Sequence, residues 1–132
     1  KGPGNLTGVR RDQPISQVAV GQAEGALRAG RAFLMAAACD IWDEATSTDE
    51  PAVSLDARTN LRLAATHAIR LAAGIVDSLY TACGATVVFE SHLIHRLFQD
   101  MHVITQHSQG RLAHYELAGK HLLGLPIDES RL

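Results

Sequence analysis

Apolar residues fall at Ile15, Val18, Ala19, Leu27, Phe33, Leu34, Ala37, Ile41 and Ala45, mostly three or four positions apart or at sums of those spacings. That is the period of one helical face, and it predicts a single helix from Pro14 to about Thr46, roughly 45 Å long at ~1.5 Å per residue. Pro14 suits the first turn, where its missing N–H costs nothing. The polar, proline-ended stretch Thr46 to Pro51 stops the helix. A second stripe runs through Leu61, Ala65, Ala68, Ile69, Ala72, Ile75, Val76 and Leu79 to Cys83, with Ser54 placed as N-cap and Gly84 where a left-handed residue would end the helix. After an irregular stretch from Ala85 to Ser91, Leu93, Ile94, Leu97, Phe98, Met101, Ile104 and Thr105 mark a third helix, ending near His107 to Gly110. A fourth runs from about Leu112 to Leu122 and is closed by Gly124 and Pro126.

Four helices joined by short connections predict an all-α, antiparallel four-helix bundle over residues 14–132, with residues 1–13 as a flexible leader or cut linker. The two long helices carry broad Ala- and Gly-rich faces, with Gly21, Gly25, Gly30 and Gly74 among them, more than two short helices can cover. Part of this surface is therefore expected to pack on another subunit or domain.

Composition narrows the function classes. A length of 132 residues fits one domain. Apolar content is 46% but aromatic content only 5%, a balance that suits close-packed helices. The net charge of −2 offers no field to gather phosphate backbones or anionic lipids, so neither nucleic acid nor membrane is expected as a partner. The apolar run near Phe33 to Cys39 ends at Asp40, far short of the ~20 residues of a membrane span. Two cysteines, Cys39 and Cys83, sit in apolar helical stretches and read as reduced thiols of a soluble, cytoplasmic protein. The opening Lys1-Gly2-Pro3-Gly4 reads as the middle of a chain, as expected of a fragment or a processed product.

The chemistry lies in the third and fourth helices. Seven histidines raise the question of a metal, yet no Glu-x-x-His pair, His-Glu-x-x-His or Cys-x-x-Cys occurs, so no metal site is expected. Nor does any serine stand in a nucleophile elbow. Arg96 and Asp100, four apart, can form a solvated ion pair; alternatively Arg96 is held to meet an anion such as a cofactor phosphate. On the residues alone, the chain reads as an interaction or structural bundle.

The order of the segments adds a resemblance. Arg31-Ala32-Phe33-Leu34 is followed by Leu63-Ala64-Ala65-Thr66-His67-Ala68, then Leu79-Tyr80-Thr81-Ala82-Cys83-Gly84-Ala85. Next come Arg96-Leu97-Phe98-Gln99-Asp100-Met101-His102, Gln106-His107, and Tyr115 to Gly124. From about Arg11 to Leu125 this set resembles the C-terminal domain of the acyl-CoA dehydrogenase superfamily, and looks closest to its two-component flavin monooxygenase branch.

The resemblance implies that Gly84 approaches flavin, and that Arg96, Asp100 and His102 belong to a cofactor-binding helix. It makes His107 the candidate catalytic group, facing flavin and substrate. A histidine there can exchange a proton near neutrality. Gln99 stands where the branch often has a second arginine, and Ala85 where it has a second glycine. The resemblance further implies a flavin cofactor (FAD or FMN) bound only in the complete protein, and upstream helical and β domains not contained in this chain. A homotetramer, a flavin reductase partner and a small organic substrate complete the expectation. The alternatives are an acyl-CoA dehydrogenase proper, with Glu116 as base, and a stand-alone helical oligomerisation module without catalysis.

Overall fold

The computed structural model describes residues 10–47, 52–88 and 92–132. Most of the expected leader, the end of the first polar connection and residues 89–91 lie outside them. Four helices account for most of the described chain: α1 (Pro14–Ala45), α2 (Leu55–Cys83), α3 (Leu93–Thr105) and α4 (Ala113–Leu122). No strand occurs among the described residues, as the helical periodicities predict.

The boundaries have local causes. Pro14 opens α1. The Ser54 hydroxyl caps α2 by accepting from the Ala57 N–H at 3.1 Å, and Glu44 at the end of α1 in turn accepts from the Ser54 N–H (2.6 Å) and hydroxyl (3.0 Å). This carboxylate therefore ties the two long helices together across their connection. At the end of α4, Gly124 adopts φ +68°. Its N–H reaches the His121 carbonyl (2.9 Å), and the Leu125 N–H reaches Lys120 (2.9 Å). These are the paired bonds of a Schellman closure, which needs a left-handed residue where Gly124 stands. Gly84 also takes positive φ, but with ψ −158°. That is the extended region open essentially only to glycine, and the chain continues from it into a short 3₁₀ turn, Gly84–Val88, rather than a plain loop.

α2 is the hub of the bundle. α1 packs along one side of it, while α3, α4 and the 3₁₀ turn Ser108–Gly110 pack along the other. Small residues allow the long helices to approach: Gly30 is buried on α1, and a β-carbon there would lie 2.6 Å from Leu71 Cδ2 on α2. The opposite flank of α2 is joined through rings. Tyr80 stacks on Phe98 at 4.5 Å between centroids, and Phe98 on His102 at 4.4 Å. Tyr80 on α2 meets Phe98 on α3, while Asp77, earlier on α2, bonds His102, later on α3, so the two helices run antiparallel. A further 3₁₀ turn, Glu129–Arg131, returns to the start of α2, where Arg58 Nη1 meets the Glu129 carboxylate at 3.1 Å.

The enclosed core is made of small side chains. Ala37, Ala57, Ala64, Ala73 and Ala118 are buried, with Val87 and Leu117 as the larger members. Much of the bulky apolar surface lies outside it. Ile15, Val18, Val20, Leu27, Met35 and Trp42 are all more than half exposed along α1. Among the described elements α1 packs chiefly against α2, which leaves this apolar stripe uncovered.

Candidate functional site

The turn that carries His107 is bonded by side chains from both α2 and α4. α2 presents Arg62, Thr66 and Arg70 four residues apart on one face, and all three reach it. Arg62 Nη1 donates to the Gln109 side-chain carbonyl. The buried Thr66 hydroxyl donates to the Gln109 backbone carbonyl at 2.8 Å, and Arg70 Nε donates to the Gly110 carbonyl at 2.8 Å. From α4, His114 Nδ1 stands 2.9 Å from Thr66 Oγ1 and 3.3 Å from the Gln109 carbonyl. Because the only hydroxyl hydrogen of Thr66 is committed to Gln109, His114 Nδ1 is the donor of this pair. Burial lowers the His114 pKa below 6.5; the Gln109 carbonyl opposes that shift, and the nearby Arg62 and Arg111 charges add to it. Beside it, burial raises the Tyr115 phenol above its usual range, with Arg70 opposing. The Tyr115 hydroxyl meets His67 Nδ1 at 3.3 Å.

His107 itself is exposed and caps the 3₁₀ turn, its Nδ1 accepting from the Gln109 N–H at 3.3 Å. With Nδ1 used as acceptor, the neutral ring carries its hydrogen on Nε2.

The other predicted residues lie toward the far end of α2. His102 Nε2 bonds Asp77 Oδ1 at 3.0 Å, so this ring is tied to α2. Arg96 and Asp100 are both exposed, and the ion pair their spacing permits does not form. The order of charges explains this. The two i,i+4 pairs that do form within helices, Glu24–Arg28 (2.7 Å) and Glu116–Lys120 (2.6 Å), both place the acid first, the favourable orientation, whereas Arg96–Asp100 has the reverse. Gln99 bonds His95 at 3.1 Å instead. Glu116, held by Lys120, is exposed on α4.

The candidates do not form one compact cluster. Gly84 ends α2, whereas the His107 turn is pinned at Arg70, about 21 Å away at ~1.5 Å per residue. Nor do they line the groove of about 600 Å³ at the opposite end of the bundle, where Asp40, Asp43, Glu44, Asp56 and His121 meet Leu63. There His121 Nε2 lies 2.5 Å from Asp56 Oδ1. Periodicity gives no sign of this groove, since its walls come from three helices. Among the described residues no group of three or more His, Cys, Asp or Glu side chains is arranged to hold a metal ion, and no helix is long and apolar enough to cross a membrane. Neither cysteine forms a disulfide, and Cys39 is exposed on α1.

An Ala- and Gly-lined pair of long helices, a glycine-ended α2 and a short third helix leading into a clamped turn form a bundle of recognisable type. The profile of the acyl-CoA dehydrogenase C-terminal domain matches residues 7–111, and the chain belongs to that family. Over 113 residues it is 34% identical to an indole-3-acetate monooxygenase of Pseudomonas putida, an alignment spanning 86% of this chain and 28% of that protein. An indole-3-acetate monooxygenase of Acinetobacter baumannii is 25% identical over 97 residues, 74% of this chain and 24% of the relative. The crystal structure of 3-HSA hydroxylase from a Rhodococcus species superposes with a TM-score of 0.83 at 23% identity, covering 92% of this chain and 32% of the other, a likeness of fold. The chain thus spans about a quarter of the length of the curated relatives it matches.

Proposed function

We propose that this bundle is the C-terminal domain of a flavin-dependent monooxygenase, in which it forms one wall of the flavin and substrate site and part of the oligomer core. The observation that carries the reading is the 34% identity over 86% of the chain to a protein named a monooxygenase. Reduced flavin, when bound, supplies the electrons with which dioxygen is activated.

The residues of this chain suit such a group. Arg96 is exposed and has no hydrogen bond or ion pair among the described residues, so its guanidinium is free to take a phosphate. Asp100, equally unengaged, suits a hydroxyl donor of the same cofactor. Gly84 lets the backbone approach closely at the end of α2. The distance between this end and the His107 turn favours a division of labour. Gly84, Arg96, Asp100 and the α2-tethered His102 serve the phosphate-bearing part of the flavin, and His107 serves the reaction pocket. Its outward Nε2–H offers a proton or a hydrogen bond to an oxygen atom there.

The exposed apolar face of α1 fits the same reading, covered in the whole protein by further domains or by copies of itself in a homotetramer. A separate flavin reductase would supply the reduced cofactor. Indole-3-acetate, named for the relatives, is the first small organic substrate to test.

The experiment supplies the full-length protein with reduced FMN or FAD, labelled dioxygen and indole-3-acetate, and follows the label by mass spectrometry. Label in an organic product supports the reading. Absence of label, with oxidation of an acyl-CoA instead, would move the protein to the dehydrogenases. His107→Ala is expected to lower turnover by roughly 10²- to 10⁴-fold, the usual contribution of a positioned acid or base, while the thermal melt stays within a few degrees of the parent. Unchanged turnover removes His107 from the reaction.

A further inference from the structure

Gln109 is held from two helices. Its side-chain carbonyl is bonded by Arg62, its backbone carbonyl by Thr66 and His114, and the carbonyl of the next residue by Arg70. Its backbone N–H in turn donates to His107 Nδ1. The segment behind it is equally fixed. Thr105 is buried and donates its hydroxyl to the His102 carbonyl at 2.7 Å, and the buried Gly110 leaves no room for a β-carbon, which would meet the Thr105 carbonyl oxygen at 3.0 Å. An exposed histidine is therefore attached to a backbone position bonded from both α2 and α4.

We propose that Arg62, Thr66 and His114 are positioning residues: by immobilising Gln109 they fix the orientation of the His107 ring and keep its hydrogen on Nε2. Thr66 is the centre of the device. It is fully buried, its hydroxyl donates to Gln109 and accepts from His114, and so it links α2, α4 and the turn through one oxygen atom. A tie meant only to join two helices would not need to end on the residue whose N–H orients the one exposed ring in the turn. A clamp of this kind holds a proton donor at a fixed place without a partner on its outer nitrogen, which proximity catalysis requires. The functional part of this inference rests on the reading of His107 as a reaction-pocket residue; the positional part does not.

The test uses the full-length protein with Thr66→Val, which keeps the shape and removes the hydroxyl, and Thr66→Ser, which restores it. Two quantities are measured: the rate at which diethyl pyrocarbonate modifies His107, read by peptide mapping, and steady-state turnover in the assay described above. A loosened Gln109 frees Nδ1, so Thr66→Val is expected to raise His107 modification several-fold and lower kcat by roughly tenfold to a hundredfold with little change in KM, the scale of a small misplacement. Thr66→Ser should return both to the parent values. Should Thr66→Val fail to fold, Arg62→Met at its half-buried position carries the same test.

A folded Thr66→Val with a lowered melting temperature but parental His107 modification would overturn the proposal, leaving a structural tie. Raised modification with unchanged turnover, together with unchanged turnover of His107→Ala, would instead support the positioning and remove the catalytic reading on which its function rests.

Discussion

Arginines on two neighbouring helices of this bundle are in opposite circumstances. Arg62 and Arg70 on α2 are half-buried and give their N–H groups to carbonyls of the 109–110 turn. Arg96 on α3 is exposed and bonds nothing among the described residues. The first two hold the chain's own turn, Arg62 through the Gln109 side chain and Arg70 through the Gly110 backbone carbonyl, and a charged donor on a carbonyl shielded from water is worth more than one in solvent. The third adds no internal bond and keeps its donors for something outside the chain. A helical domain that must be rigid in one place and open in another can be built by that distribution of arginines, and their substitution separates the two roles.

The largest expected effect lies at the back of the clamp. Gly110→Ala would put a β-carbon 3.0 Å from the Thr105 backbone oxygen and 3.3 Å from Ile69 Cγ2. Backbone cannot yield as a side-chain tip can, so we expect destabilisation of about 2–3 kcal/mol, in the upper range for overpacking. Gly30→Ala sharpens the point. Its β-carbon meets the end of the Leu71 side chain at 2.6 Å, an atom that can rotate away, and alanine gains up to ~1 kcal/mol of helix propensity. The two melts should differ plainly, with Gly30→Ala near the parent. Equal losses would mean that the turn is no stiffer than the helix interface.

The boundaries of α1, α2 and α4 were readable within a residue or two, and several have a local cause: Pro14, the Ser54 cap, Gly84 and the Gly124 closure. α3, whose ends carry no such signal, stops at Thr105, short of the expected His107 to Gly110, where a separate 3₁₀ turn stands. The clamp was not. Arg62, Thr66 and Arg70 stand at helical spacing in the sequence, but their acceptors lie 40 to 47 positions further on, and they are backbone carbonyls and an amide whose identity no residue pattern reveals. The same holds for the acidic groove between α1, α2 and α4, whose walls meet only after folding. His102 was legible as part of a signature helix, but not as the partner of Asp77, 25 positions earlier. The apolar excess on α1 was visible in the sequence as area without a cover, and the structure leaves Trp42 and Ile15 about 70% exposed.

A smaller effect follows from His114. Burial makes its charged form unfavourable in the folded chain, so on acidification the unfolded chain takes up this proton first. The contribution to stability is fully present above about pH 6.5 and declines as the pH falls below it, until the folded state is protonated as well. Melts between pH 7.5 and 5.5 should therefore show a steeper loss for the parent than for His114→Gln, which cannot titrate. Parallel curves would show that His114 is protonated with equal ease in both states. The comparison of variant with parent isolates this group from the other six histidines.

The finest separation sets Arg70→Met against Arg96→Ala. Losing the Arg70 bond leaves the Gly110 carbonyl without its donor, and we expect a loss of about 1 kcal/mol, or roughly 3–5 °C in Tm for a domain of this size. Arg96→Ala removes no internal bond, so its melt without flavin should coincide with the parent's. Its effect should emerge only on adding FAD or FMN to the full-length protein. There a ligand that binds the native state raises the parent's Tm with concentration, and the variant's should rise less. A flavin-dependent Tm shift identical in the two proteins would return Arg96 to the solvent. A shift lost in Arg70→Met but retained in Arg96→Ala would place the cofactor against the clamped turn, and the two arginines would exchange roles.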